Sequence, residues 1–171
     1  LGIFIVAPIV VLLILLRRGG QAQPKRWSAF PAWQVIGAHV LIALVYTTPW
    51  DNYLVATKVW WYNPALVSGL VIGWVPIEEY TFFLLQPILT GLWLVWLMRN
   101  GFGRTTTSLQ PNPAFRTRAL AALGVLWVIM LGVLLSGWQA GTYLGLELVW
   151  ALPPIMLQVG YGADILWHNR R

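Results

Sequence analysis

The sequence predicts an all-α polytopic membrane protein, a helical bundle of about five transmembrane helices with a short interfacial hairpin or cap over residues 53–75. Three observations carry this. Of the 171 residues, 58% are hydrophobic and only 9% are charged. Mean hydropathy is +0.69, the composition of a chain dissolved in lipid rather than folded around one core in water. Five windows carry almost no charge, each long enough to cross a ~30 Å hydrocarbon layer, and the basic residues fall in the connectors between them. The absence of Cys excludes disulfides, thiol catalysis and Cys-ligated metal centres.

The spans are read at about 1–16, 32–50, 76–98, 118–136 and 142–167. No basic leader precedes the first and no small-residue cleavage site follows it. It runs into Arg17-Arg18, so it reads as a transmembrane helix and not as a signal peptide. The chain opens inside this apolar run without an initiator Met and stops at Arg170-Arg171 just after another, so it is expected to be a fragment of a longer protein. The second span ends in Thr47-Thr48-Pro49-Trp50-Asp51-Asn52-Tyr53, which reads as a helix stop: a Pro, an interfacial Trp and polar residues leaving the bilayer.

Residues 52–75 are too few for a transmembrane excursion and too apolar for a simple loop. The alternation from Val59 to Pro64, followed by Val67-Ser68-Gly69, predicts a hairpin or re-entrant cap. Trp60, Trp61 and Tyr62 suit an aromatic belt or a lid over a pocket. The third span opens with Pro76, suited to a first helical turn where its missing N–H costs nothing. Glu78 and Glu79 follow in that turn, where free N–H groups and the positive end of the helix dipole favour carboxylates. Pro49, Pro87, Pro153 and Pro154 are expected to end or kink helices. Glycines such as Gly91 and Gly145 let helices approach closely.

Charge sets the orientation. If helices alternate, Arg17, Arg18, Lys25, Arg26, Arg99, Arg104, Arg116, Arg118, Arg170 and Arg171 share one side, and only Lys58 lies on the other. The basic side is therefore cytoplasmic. The net charge of +6 reports topology and contact with anionic lipid rather than nucleic-acid binding.

The same topology gathers Asp51, Glu78, Glu79 and Glu147 toward the external leaflet, while Asp164 sits at the cytoplasmic end, four residues before His168. An ionisable side chain near the centre of a membrane helix costs at least ~2.5 kcal/mol, so intramembrane acids mark functional sites by default. Pro-Ile-Glu-Glu has two readings: a surface helix turn capped by its acids, or an acid–base pair. Two neighbouring carboxyls at low dielectric do not readily both ionise, so one can hold a proton beside its charged neighbour. Asp51 at the same depth is a partner for them. His39, mid-membrane in the second span, is either a pigment ligand or hydrogen-bonded to a neighbouring helix. No metal-ligand spacing, phosphate-binding loop or dinucleotide fingerprint is present.

Thr48-Pro49-Trp50-Asp51-Asn52-Tyr53, the Trp60–Tyr62 segment, Gly69 to Gly73, and Pro76-Ile77-Glu78-Glu79-Tyr80-Thr81-Phe82-Phe83 with Gln86 together resemble the membrane-integral lycopene cyclase domain family, which includes heterodimeric bacterial, fused archaeal and fungal bifunctional cyclases. Tyr143 to Leu166 resembles the opening helix of that family's second half. The resemblance implies four parts: 1–98 as a first cyclase-type repeat of three spans, 99–117 as a cytoplasmic basic loop, 118–136 as a connecting span, and 142–171 as the start of a second repeat.

It further implies a flavin-independent, redox-neutral cyclisation of linear carotene ends by acid catalysis, without a cofactor. Glu78 and Glu79 would be acid and base, Asp51 would tune them, and Trp50, Tyr53, Tyr80, Phe82, Phe83 and Gln86 would contact the substrate. Fused members carry a second Pro-x-Glu-Glu helix that this chain does not reach, so a partner subunit or a missing second repeat is expected. Glu147 is not expected from the family pattern. The alternatives are a carotene hydratase, a non-catalytic carotenoid- or chlorophyll-binding subunit of a photosynthetic complex with His39 as ligand, and, more remotely, a proton-coupled transporter.

Overall fold

A computed structural model describes residues 2–19, 31–100 and 112–168. The chain divides into two compact units, Leu1–Arg104 and Thr105–Arg171. Four helices among the described residues are long and apolar enough to cross a membrane: Ala32–Ala56, Ile77–Arg99, Pro113–Leu135 and the Gln139–Gly162 stretch of the last. The protein is thus an all-α polytopic membrane bundle, as its composition requires.

In the first unit a π-helical turn over Gly2–Val6 leads into α1 (Ala7–Arg18). Together with α2 (Ala32–Ala56) and α3 (Ile77–Arg99) it forms a three-helix layer in which α3 packs against both others. Gly91 sets the α2–α3 approach, since a Cβ there would lie 2.6 Å from Ile36 Cγ1. At the other end of α3, Arg99 Nη1 donates to the Leu16 carbonyl at 3.0 Å, serving one of the carbonyls that the end of α1 leaves without a helical partner.

The second unit is an antiparallel pair, α4 (Pro113–Leu135) and α5 (Gln139–His168). They are joined through Gly137, whose φ of +70° suits glycine. A Cβ on Gly145 would lie 2.8 Å from Leu134 Cδ2, so the small residue lets the two backbones close. Pro153 has no N–H to offer the Val149 carbonyl four residues earlier. Trp127 Nε1 on α4 donates to that carbonyl at 3.0 Å. In lipid, where no water replaces a lost backbone bond, this contact makes a proline inside α5 tolerable.

Three expectations need correction. The second span does not stop at Asp51: α2 runs through Pro49 to Ala56. It ends in a Schellman motif, with Val59 N bonded to Leu54 O at 2.9 Å, Lys58 N to Val55 O at 3.0 Å, and Lys58 in the left-handed region at φ +59°. The cap is therefore shorter than 53–75 at its start. Its hairpin is not in the Val59–Pro64 alternation, where a 3-10 turn forms over Pro64–Leu66, but later, where β1 (Val71–Ile72) pairs antiparallel with β2 (Val75–Pro76). The two-residue loop has Gly73 first at φ +67°, the requirement of a II′ hairpin turn.

The third correction concerns the fourth helix, which begins at Pro113, inside the expected 99–117 loop. Asn112 caps it by accepting from Phe115 N at 3.0 Å. Lys25, Arg26, Arg104, Arg170 and Arg171, and the side chains of Asp164 and His168, lie outside the described residues.

Candidate active site: a carboxyl cluster under the cap

The cluster forms where the last turns of α2, the first turn of α3 and the intervening cap converge. Asp51 is carried on α2 and is only 3% exposed. Tyr62, from the cap, donates its phenol to Asp51 Oδ2 at 3.0 Å. Asp51 Oδ1 is buried, and the Trp60 side chain is a second donor at this carboxyl. Trp60 lies beside the same carboxyl and meets the Tyr62 ring edge-on, with centroids 6.2 Å apart. Burial first, and then the charges of Asp51 and Glu79, push the Tyr62 phenol far above its ordinary range, so it stays a donor.

Glu78 and Glu79 occupy the first turn of α3, two and three positions after Pro76, which is the N-cap residue rather than the first helical residue. Glu78 turns to the cap: Oε1 accepts from the Ser68 backbone N at 2.6 Å, and the Ser68 side chain also contacts it. Glu78 Oε2 is buried without a partner. Glu79, half-buried, lies within electrostatic reach of Asp51, Glu78 and Tyr62. Asp51 and Glu78 are thus each tied to the cap, and Glu79 stands beside Glu78 in the same turn.

Asn52 holds the three elements in register. Its Nδ2 donates to the Thr48 carbonyl at 2.9 Å and to Tyr80 Oη at 3.0 Å, while Oδ1 accepts from Trp74 N at 2.8 Å. Tyr80 passes the link on, donating to the Ile72 carbonyl at 3.0 Å. A Cβ on Gly73 would collide with Asn52 Oδ1, so this glycine serves both the turn and the close approach.

The remaining expected substrate contacts are dispersed. Trp50 and Tyr53 stack at 6.0 Å, with Tyr53 51% exposed, and Tyr80 meets Phe83 edge-on at 6.0 Å. Phe82 is exposed, and Gln86 lies two turns further along α3, ~10 Å from Glu79 at the helical rise. Glu147 belongs to the other unit. His39 Nδ1 bonds to the Val35 carbonyl of its own helix at 2.8 Å. A carbonyl only accepts, so the imidazole donates there and its Nε2 is left for the groove of about 200 Å³ that it lines with Thr90 and Leu94. A second groove, about 380 Å³ and almost entirely apolar, runs between α1 and α3 past Leu12, Leu89, Trp93 and Trp96. No group of three or more potential metal ligands occurs among the described residues.

Sequence reasoning missed Asn52, Ser68 and Tyr62 as members of the site. The signal for Tyr62 was present: residues 59–76 contain no charged side chain, so a Tyr there has few polar partners except the acids at either end of the segment.

Fold and cluster define a class: a polytopic helical membrane protein with carboxyls at the ends of two spans, bonded to the cap between them. Residues 3–97 match the lycopene cyclase family, and the chain belongs to it. It is 41% identical over 160 residues to a lycopene beta-cyclase of Halobacterium salinarum, a match covering 89% of this chain and 62% of that protein. It is 34% identical over 128 residues to a bifunctional lycopene cyclase/phytoene synthase of Podospora anserina, covering 71% of this chain and 21% of the fungal one. The corresponding Neurospora crassa protein is 33% identical over 123 residues, covering 68% and 20%. The chain thus spans about three fifths of the Halobacterium relative and a fifth of the fungal ones. No solved structure matches.

Proposed function

We propose that this chain forms the first catalytic half of a carotenoid cyclase that closes the ends of a linear, lycopene-type carotene. The observation that carries the reading is the meeting of Asp51, Glu78 and Glu79 under the cap. The 41% identity to a lycopene beta-cyclase supports it. A carboxylic acid protonates the terminal double bond, forming a C–H bond and a tertiary cation. The neighbouring alkene attacks that cation, forming the ring C–C bond, and a carboxylate removes a proton to restore a double bond. The product is an isomer of the substrate, so no electrons are exchanged and no flavin is needed. The enzyme would be an intramolecular lyase or isomerase.

Glu78 and Glu79 act as acid and base with Asp51 beside them, and Trp50, Tyr53, Tyr80, Phe82, Phe83 and Gln86 supply the surrounding contacts. The apolar flanks of the site admit a substrate that is itself dissolved in lipid. The ten-to-one distribution of basic residues supports an orientation with the carboxyls toward the external leaflet. A second Pro-x-Glu-Glu helix, on a further repeat or a partner subunit, is proposed to complete the site. The segments 1–98, 99–117, 118–136 and 142–171 are proposed as first repeat, cytoplasmic loop, connecting span and start of that second repeat.

The test is expression of the full-length gene in cells that accumulate lycopene, followed by pigment analysis. Cyclised carotene is expected from the wild type, and lycopene from Glu78→Gln and Glu79→Gln. Unchanged lycopene with the wild type, or full activity in both variants, would refute the reading. A hydroxylated acyclic product would identify a hydratase instead.

A further inference from the structure

We infer that the groove between α1 and α3 is a substrate-positioning site: it holds the far part of a linear carotene whose reacting end lies at Glu78 and Glu79. The identity of the occupant rests on the cyclase reading; the groove and its continuity with Glu78 do not.

α3 presents two stripes at helical spacing. Tyr80, Pro87, Gly91 and Leu94 share the face that meets α2, through the Asn52–Tyr80 bond, the close approach of Ile36 to Gly91 and the groove around His39. Glu78, Phe82, Leu85, Leu89, Trp93 and Trp96 follow one another at intervals of four, three, four, four and three residues, so they form a second stripe on another side of the helix. The far half of that stripe is a wall of the α1–α3 groove, where Leu89, Trp93 and Trp96 stand opposite Leu12 and Leu15. Glu78 is therefore the polar head of an apolar track that ends in the groove. Phe82 and Trp93 are exposed along it, so the side chains of this unit leave the track open.

Length and closure identify the occupant. At the helical rise the groove begins at Leu89, ~16 Å from Glu78, and reaches Trp96 at ~27 Å. Just beyond, Arg99 Nη1 donates to the Leu16 carbonyl at 3.0 Å and ties α1 to α3, closing that end. The volume of about 380 Å³ falls within the ~300–1,000 Å³ of ligand pockets. A linear carotene is a stiff, uncharged rod able to span a ~30 Å hydrocarbon layer, so one end at Glu78 places the other in the groove. A lipid acyl chain reaches about halfway across that layer and makes no such link. The indoles of Trp93 and Trp96 offer flat apolar faces to a conjugated chain.

Holding the remote end has a chemical consequence. Protonation requires the terminal double bond beside an acid, and a rod free to slide along its axis loses that register. Contacts far from the reacting bond restore it, converting the binding of the inert chain into orientation at the carboxyls.

The test compares lycopene with a half-length polyene that carries one such acyclic end and stops short of the groove, using the full-length protein in lipid nanodiscs. Val11 borders the groove and is exposed, so Val11→Trp fills the space without disturbing a buried contact. It should lower kcat/KM for lycopene about tenfold or more and leave the half-length substrate unchanged. Trp93→Leu should raise KM for lycopene alone. Equal losses on the two substrates in both variants, or no loss in either, would overturn the proposal, the latter leaving the groove to lipid. Binding is read separately, as circular dichroism induced in the visible band of lycopene added to Glu79→Gln. A signal is expected there, and its loss when Val11→Trp is added; a signal that is absent from the start, or unmoved by Val11→Trp, would also refute the assignment. A wild type that cyclises neither substrate, with an induced signal that still responds to Val11→Trp, would sink the cyclase reading and keep the groove as a polyene site.

Discussion

Replacing Asn52 with Ala should release the cap while leaving the helices standing. The side chain makes two bonds that cross between elements: Nδ2 to Tyr80 Oη at 3.0 Å and Trp74 N to Oδ1 at 2.8 Å. Its third, to the Thr48 carbonyl, lies within α2 and stabilises nothing else. A net ~1 kcal/mol for each crossing bond gives ~2 kcal/mol. At 1.4 kcal/mol per tenfold, cap opening should become roughly thirtyfold more frequent. Tyr80 keeps its bond to the Ile72 carbonyl, and the Ile77 N bond to the Leu70 carbonyl at 2.9 Å still closes the base of the hairpin, so opening stays local.

Hydrogen exchange resolved by peptide is the assay. Exchange across residues 59–76 should accelerate by about that thirtyfold factor, with the mid-helix amides of α2 and α3 unchanged. A cap that exchanges at the wild-type rate would refute the assignment of Asn52 as its clamp, and loss of protection throughout α2 and α3 would show that the hub holds up the whole unit. A double-mutant cycle with Gly73→Ala sharpens the point. In the wild type the new Cβ meets both a φ of +67° and Asn52 Oδ1; in Asn52→Ala only the φ strain of about 1–2 kcal/mol remains, so the two substitutions should be non-additive.

Lys58→Gly should raise stability by about 1 kcal/mol, read as a higher Tm in detergent, because Lys58 holds the left-handed Schellman position at φ +59° that glycine adopts without strain. Trp127→Phe should lower the stability of the α4–α5 pair by ~1–2 kcal/mol, measured by unfolding in mixed micelles, since it strips the donor from the Val149 carbonyl that Pro153 cannot serve. Tyr62 gives a pH signature. Its folded-state pKa is raised above the unfolded value of about 10, so its contribution is complete below that pH and lost as pH climbs past it. Tm should fall more steeply between pH 9 and 11 in the wild type than in Tyr62→Phe; equal slopes would contradict the buried, acid-bound phenol.

Much of the architecture was legible because membrane burial writes itself in composition. Long uncharged runs have few alternatives to helix in lipid, and the acids at Asp51, Glu78 and Glu79 were conspicuous against them. The boundaries failed where tertiary contact outweighed local signal. Pro49-Trp50-Asp51 has the residues of a helix stop, yet the helix continues because the turn beyond Pro49 is fixed from outside, through Asp51 to Tyr62 and through Asn52 to Trp74 and Tyr80. The alternation at Val59–Pro64 promised strands, but a two-stranded ribbon needs a turn that reverses the chain, and the glycine able to make the II′ turn is Gly73. Single-sequence periodicity contains no information about which turn finds a clamp.

The extension of α2 past Pro49 also decides how the acids differ. Glu78 and Glu79 stand in a first helical turn, where backbone N–H groups lack helical partners and are available to carboxylates. Asp51 stands inside a helix, where the nearby backbone N–H groups are engaged along the axis, so any donor must come from another element. The cap provides Tyr62, with Trp60 as a second donor beside the same carboxyl. Had the helix ended at Asp51, that side chain would have met water at a chain exit and would have been an ordinary interfacial acid. Its place within the helix makes it buried and dependent on the cap for its donors.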